Sequence, residues 1–203
     1  LAATATKVAV YVMLRFLFTV FGFDYGFQAA TLQTIVVPLA VIAMFASSIV
    51  AIFQSDLKRM LAYSSVAQIG YILLGISLLN KPGLTAGIIH LFNHAVIKGA
   101  LFMAVGAFVY RIGSSRIEDL RGIGKQMPWM AAAFVAAGLG LIGVPLTAGF
   151  ISKWYLIQAT LDEGAWWLAL LIVGSSLLAV IYVWRVVEAM YLDANPWERG
   201  CWI

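Results

Sequence analysis

The sequence predicts an all-α integral membrane protein: a six-helix portion of a larger transmembrane bundle, with one discontinuous helix at about 129–158. Three observations carry this. The 203 residues are 63% apolar and only 11% charged, whereas a soluble domain of this length carries about a quarter charged residues. Six apolar runs, at 3–23, 31–53, 60–79, 84–110, 129–158 and 165–192, recur along the chain. Each is about 20 residues or longer, enough for a helix to cross a hydrocarbon core ~30 Å thick. Runs of this length exclude the strands of about ten alternating residues that build barrels.

The whole chain, 1–203, therefore reads as a single transmembrane region. Its net charge of +4 resides in short connectors, so it is not a nucleic-acid signal. The lone cysteine, Cys201, has no disulfide partner and builds no metal cluster. No signal peptide is visible. The chain opens at Leu1, already inside apolar sequence, which is the expectation for a fragment missing its N-terminal part.

Orientation follows from the connectors. Those at 24–30, 80–83 and 159–164 hold one basic residue between them, Lys81. Those at 54–59 and 111–128 hold Lys58, Arg59, Arg111, Arg116, Arg121 and Lys125, and the C-terminal tail adds Arg199. The two groups alternate, as an up-and-down bundle requires, so 54–59, 111–128 and the tail are expected on the cytoplasmic side of the cell membrane. Trp129, Trp166 and Trp167 fall at segment starts, where aromatic belts sit.

In the first segment Lys7, Tyr11 and Arg15 are spaced by four. Arg15 can snorkel outward, and Lys7 is either an anchor at the cytoplasmic edge or, if the helix begins upstream, a base near mid-depth. The second segment has no ionisable residue before Asp56, and its Ser47–Ser48 pair reads as packing. Asp56 is placed to cap the third helix, with Lys58 and Arg59 beside it. Ser64, Gln68 and Tyr71, continued by Gly75, then fall on one face. That polar stripe either bonds a neighbouring helix or lines a wet cavity. Asn80 to Gly83 reads as a plain turn.

The fourth segment contains His90, His94 and Lys98, again four apart, and these are both histidines of the chain. On a helix they form one stripe about 12 Å long. A histidine pair at this spacing can ligate zinc or haem, can be hydrogen-bonded for structure, or can relay protons. Zinc needs further ligands, and no acidic residue or cysteine lies at membrane depth to supply them. Bis-histidine haem wants histidines on facing helices. Imidazole exchanges protons at little cost near neutrality, and ionisable groups inside a bilayer face a protein interior and act there. The expectation is a proton path.

The connector 111–128 mixes charges and reads as a solvated surface helix or loop. The fifth segment is too long for one straight crossing. Near its middle stand Gly143, Pro145 and Gly149. Proline removes a backbone donor and glycine lowers the cost of unwinding, so two half-helices are expected, joined at mid-membrane. Such breaks are tolerated only where buried in protein or lining water. Lys153 follows the break, with Ser152 beside it. In the last segment Arg185 and Glu188, three apart, are expected to pair.

Three blocks in order, QSDLKRMLAYSSVAQIGY (54–71), HLFNHAVIKGALF (90–102) and GVPLTAGFISKWY (143–155), resemble the antiporter-like membrane subunits shared by Mrp-type cation/proton antiporters, respiratory complex I and membrane-bound hydrogenases. The wording around RIEDLRGIGKQMPW (116–129) is most similar to the D-type subunit of Mrp antiporters. The resemblance implies a bundle of about fourteen helices containing inverted repeats, each with a broken helix, of which this chain matches the eighth to the thirteenth. It implies that Lys7 is the family's central connecting lysine, that His90, His94 and Lys98 form its relay, and that Lys153 is the ionisable residue of the second broken helix. The implied function is proton conduction in a multisubunit monovalent cation/proton antiporter, and the polar face of Ser64 and Gln68 is read as lining the route. The alternative is a proton-pumping subunit of an NADH-quinone oxidoreductase or related hydrogenase. The implied partners are other membrane subunits, the lipid bilayer, protons and Na⁺ or K⁺. No cofactor, metal or catalytic residue is expected in this chain, since it has neither a cysteine cluster nor a strand–GxGxxG–helix pattern; redox chemistry would belong to partner subunits.

Overall fold

The computed structural model describes residues 5–20 and 26–192. Arg199, Cys201 and the early part of the 24–30 connector lie outside the described residues. Helix α1 (Ala5–Arg15) runs on into a π-helical turn, Phe16–Val20. It is followed by α2 (Gly26–Ile52), α3 (Leu57–Ser77) and α4 (Lys81–Ile112). A short 3₁₀ turn, Ile117–Leu120, and the one-turn α5 (Ile123–Gln126) lead to α6 (Pro128–Ile142), α7 (Ala148–Asp162) and α8 (Trp166–Tyr191). No strand forms among the described residues. Among the described residues, four helices are long and apolar enough to span a bilayer: residues Gln33–Ile52 of α2, and α3, α4 and α8. Helices α6 and α7, of 15 residues each, are the expected discontinuous helix.

Helix α3 is the centre of the bundle. Of the 18 residues that make up its apolar span 72% are buried, against 28% for the corresponding span of α2, 28% for α4 and 33% for α8. Small residues allow this. A Cβ on Gly70 would stand 2.8 Å from the carbonyl oxygen of Ala40 on α2, and one on Gly75 would stand 2.8 Å from that of Gly83 on α4. Close backbone approach of this kind replaces the hydrophobic drive that lipid does not supply. Helix α1 rests its Val10 and Leu14 on Ile72 and Ile76 of α3. Large apolar side chains elsewhere, such as Leu39, Phe92, Met103 and Leu177, point outward, as a surface solvated by hydrocarbon requires. Trp129 and Trp166 are also exposed, at helix starts.

The helix ends are tied by specific caps. Asp56 accepts from the amide of Arg59 at 3.0 Å and from the hydroxyl of Ser115. Burial works against its charge. Hydrogen bonds from Ser115 and from the Arg59 and Lys58 amides, with the Arg59 charge, outweigh it and hold the carboxyl below the usual carboxylate range. Asn80 to Gly83 is more than a turn: α4 begins at Lys81, and Asn80 Oδ1 caps it by accepting from Gly83 N at 2.7 Å. The Asn80 amide also donates to Glu163 Oε1 at 2.9 Å, linking α4 to the α7–α8 turn.

Two expectations are corrected here. The connector 111–128 is not a solvated loop. Ile117, Leu120 and Ile123 are buried in one cluster with Leu57, Leu101, Phe108 and Met190. Asp56 and Arg116 form an isolated antiparallel bridge, with Leu57 N donating to Ser115 O and Ile117 N to Ser55 O. Apolar residues three apart give the segment a face to bury between its charges. The Arg185–Glu188 pair does not form either. Arg185 Nη1 donates to the carbonyls of Ile52 at 2.7 Å and Gln54 at 3.0 Å, where the end of α2 leaves acceptors without helical partners.

Candidate functional site

Helix α4 buries one stripe, in which Ala86, His90, His94, Lys98, Leu101 and Val105 face inward while Phe92, Val96 and Met103 face out. The three bases thus share the protein-facing side with small and aliphatic residues, as their spacing of four dictates. Lys98 is fully buried. Its Nζ donates to Leu61 O at 2.7 Å and Ser64 Oγ at 2.5 Å, both on α3. Two acceptors satisfy the two N–H groups of a neutral amine and two of the three of an ammonium.

His90 is held on both sides. Its Nε2 donates to Gln68 Oε1 at 2.9 Å, and its Nδ1 lies 2.8 Å from Ser152 Oγ. Ser152 also lies 3.0 Å from the Gly149 carbonyl. A serine hydroxyl has one hydrogen and can accept as well. Pointed at Gly149, it accepts from a charged His90; pointed at Nδ1, it donates to a neutral one. His90 therefore keeps both bonds in either protonation state. His94 stacks on His90 with ring centroids 6.3 Å apart, and neither of its ring nitrogens has a hydrogen-bond partner. Buried imidazole nitrogens in that condition are the positions where water serves.

The helix break builds the setting of Lys153. Gly143 ends α6 in the left-handed conformation, at φ 87°, which only glycine adopts without penalty. Pro145 occupies the position whose N–H would have bonded the Leu141 carbonyl. That carbonyl and the one of Ile142 instead accept from Lys153 Nζ, at 3.2 and 2.7 Å, and Ser176 Oγ of α8 accepts at 3.0 Å. Three acceptors match the three N–H groups of an ammonium, and the C-terminal end of α6 carries the negative pole of its dipole. A Cβ on Gly143 would meet Lys153 Cδ at 2.9 Å, and one on Gly149 would overlap the Gly140 carbonyl oxygen. Both glycines are needed for the lysine stem and α7 to approach α6. Helix α7 is capped by Thr147, and Asn93 of α4 donates to Ala148 O at 2.8 Å.

Lys7 of α1 is buried, on the helix that packs against α3 through Val10 and Leu14. The structure thus brings Lys7, His90, His94, Lys98, Lys153, Ser64 and Gln68 into one interior. Three further residues join them. Tyr71 stands with its ring 4.7 Å below Lys153 Nζ and 5.6 Å from the His90 ring. Ser152 and Ser176 complete the partners. Ser176 had a weak signal, a serine pair within an otherwise apolar helix. Tyr71 lay on the polar stripe of α3, but which lysine it meets depends on α7 and is not written in local spacing.

The fold and its interior define a polytopic α-helical membrane protein with buried bases beside a broken helix. Residues 1–179 match the family described as NADH:quinone oxidoreductase/Mrp antiporter, TM, and the chain belongs to that family. It is 45% identical over 196 residues to the NADH-quinone oxidoreductase subunit N of Desulforudis audaxviator, covering 97% of this chain and 39% of that protein. It is 37% identical over 162 residues to the F(420)H(2) dehydrogenase subunit N of Methanosarcina mazei, covering 75% of this chain and 33% of that one. Among solved structures, a chain of the Mrp complex from a Dietzia species superposes with a TM-score of 0.85 at 33% identity, covering 96% of this chain and 35% of that chain. The chain spans less than half the length of these relatives.

Proposed function

We propose that this chain is a proton-conducting part of a membrane subunit in a multisubunit complex of the cell membrane. Protons pass along Lys7, Lys98, His94, His90 and Lys153, with Ser64, Gln68 and Ser152 holding the bases and water bridging His94. The observation that carries the reading is that the three bases of α4 and Lys153 of the broken helix share one interior with no carboxylate bonded to any of these four among the described residues. Bases held by carbonyls and hydroxyls change charge without breaking an ion pair. Each also feels its neighbours' charge, so a proton gained by one favours release by the next. Connectors 54–59 and 111–128 face the cytoplasm on this reading. In the full-length subunit within its complex, Lys98→Ala or Lys153→Ala abolishes proton transport while assembly survives; transport at the parental rate would count against it.

What drives the protons separates two readings. The cation/proton antiporter, with this chain as part of its D-type subunit and Na⁺ or K⁺ moving in exchange, is supported by the superposition on the Mrp complex over 96% of the chain. The redox-driven alternative is supported by the 45% identity to an NADH-quinone oxidoreductase subunit, against 33% to the Mrp chain. Purification under mild detergent decides between them. Copurifying flavin and iron–sulfur subunits mean the second, and membrane subunits alone with Na⁺- or K⁺-dependent proton release mean the first.

A further inference from the structure

Tyr71 of α3 is 1% exposed and closes the polar stripe that begins at Ser64 and Gln68. Its ring meets two of the bases, with Lys153 Nζ 4.7 Å from the centroid and the His90 ring 5.6 Å away at 59°. Its hydroxyl lies 3.3 Å from Ser176 Oγ, the same oxygen that accepts from Lys153 at 3.0 Å. Ser176 gives its own hydrogen to Ile172 O at 3.0 Å, so its oxygen can accept from the phenol, whose single hydrogen has Ile172 O at 3.5 Å as its other acceptor. One side chain thus presents a π face to the ammonium and fixes one of its three acceptors. A cation over an aromatic face is favoured over the neutral amine, since the ring quadrupole attracts only the charge.

We propose that Tyr71 is a positioning residue that holds the charged form of Lys153 against the broken helix and sets the pH range in which Lys153 and His90 exchange charge. The inference rests on the reading of Lys153 as a working base. The titratable groups that face Lys153 among the described residues are Tyr71 of α3 and His90 of α4, with His94 one turn further. Helices α6 and α8 offer it only the Leu141 and Ile142 carbonyls and the Ser176 hydroxyl.

The test uses the full-length subunit in its complex, reconstituted in proteoliposomes, with proton transport followed across pH. Lys153→Ala comes first, and parental transport in that variant would sink the underlying reading rather than this one. With Lys153→Ala inactive, Tyr71→Leu moves the alkaline limb of the profile to lower pH by about one unit. Tyr71→Phe keeps the ring and moves it less. Phenylalanines at position 71 carrying one, two and three ring fluorines keep the shape while draining the π face, so the limb moves stepwise with fluorine number. That series decides the matter even if Tyr71→Leu fails to assemble. A limb that stays in place across the fluorine series, with Lys153→Ala inactive, overturns the role of Tyr71.

Discussion

Lys98 and Lys153 enter the same bundle and meet different surroundings. Lys98 has two oxygen acceptors on α3, and Lys153 has three, a ring face and the end of a half-helix. The second setting depends on Gly143, whose φ is 87° and whose Cβ would meet the lysine stem at 2.9 Å. Gly143→Ala is expected to cost about 1–2 kcal/mol from backbone strain alone and to lower proton transport as well. Gly164→Ala is the control: φ is 70° there, but the surroundings are open. It should show the strain in thermal unfolding and leave transport intact. The bases themselves were legible in the sequence, because a spacing of four along one helix decides which residues share a face. Their partners were not. Which hydroxyl or ring reaches Lys153 depends on how α3, α7 and α8 cross, and no local pattern encodes that.

At the scale of elements, the helix break was readable for a chemical reason. Proline at 145 withdraws the donor for Leu141, and glycines at 143 and 149 permit the turn and the close contact. The segment 111–128 was misread because its charges dominate its composition, while Ile117, Leu120 and Ile123 occupy positions that only tertiary packing reveals. That segment is fastened to α3 through Asp56, which bonds Ser115 and the Arg59 amide. Asp56→Ala is expected to cost about 1 kcal/mol, as for a lost helix cap. The folded carboxyl lies below its unfolded range. Its contribution is therefore complete above the unfolded value, near pH 4, and fades as pH falls through the folded one. Stability of the parent measured from pH 6 downward should drop toward that of Asp56→Ala in this acid window, and parallel curves would refute the coupling.

The whole molecule has two chemically distinct ends. At one, Asp56, Ser115 and Arg116 gather with Arg185; at the other, Asn80 and Glu163 join the α3–α4 and α7–α8 turns. Cysteines placed at Lys58 and Glu118 should react with a membrane-impermeant maleimide from the cytoplasmic side only, and cysteines at Lys81 and Asp162 from the opposite side only. Mixed reactivity within either pair would break the assigned topology. A last consequence concerns how such a chain is made. Helices α6 and α7, at 15 residues each, extend about 22 Å apiece, short of the ~30 Å core. Neither half qualifies for release into lipid by itself at the translocon. The pair has to partition as one body, its bent joint tied to α4 by Asn93, which donates to Ala148 O at 2.8 Å. Since α4 leaves the ribosome first, Asn93 is expected to be in place to receive the hinge before Lys153 behind it meets hydrocarbon.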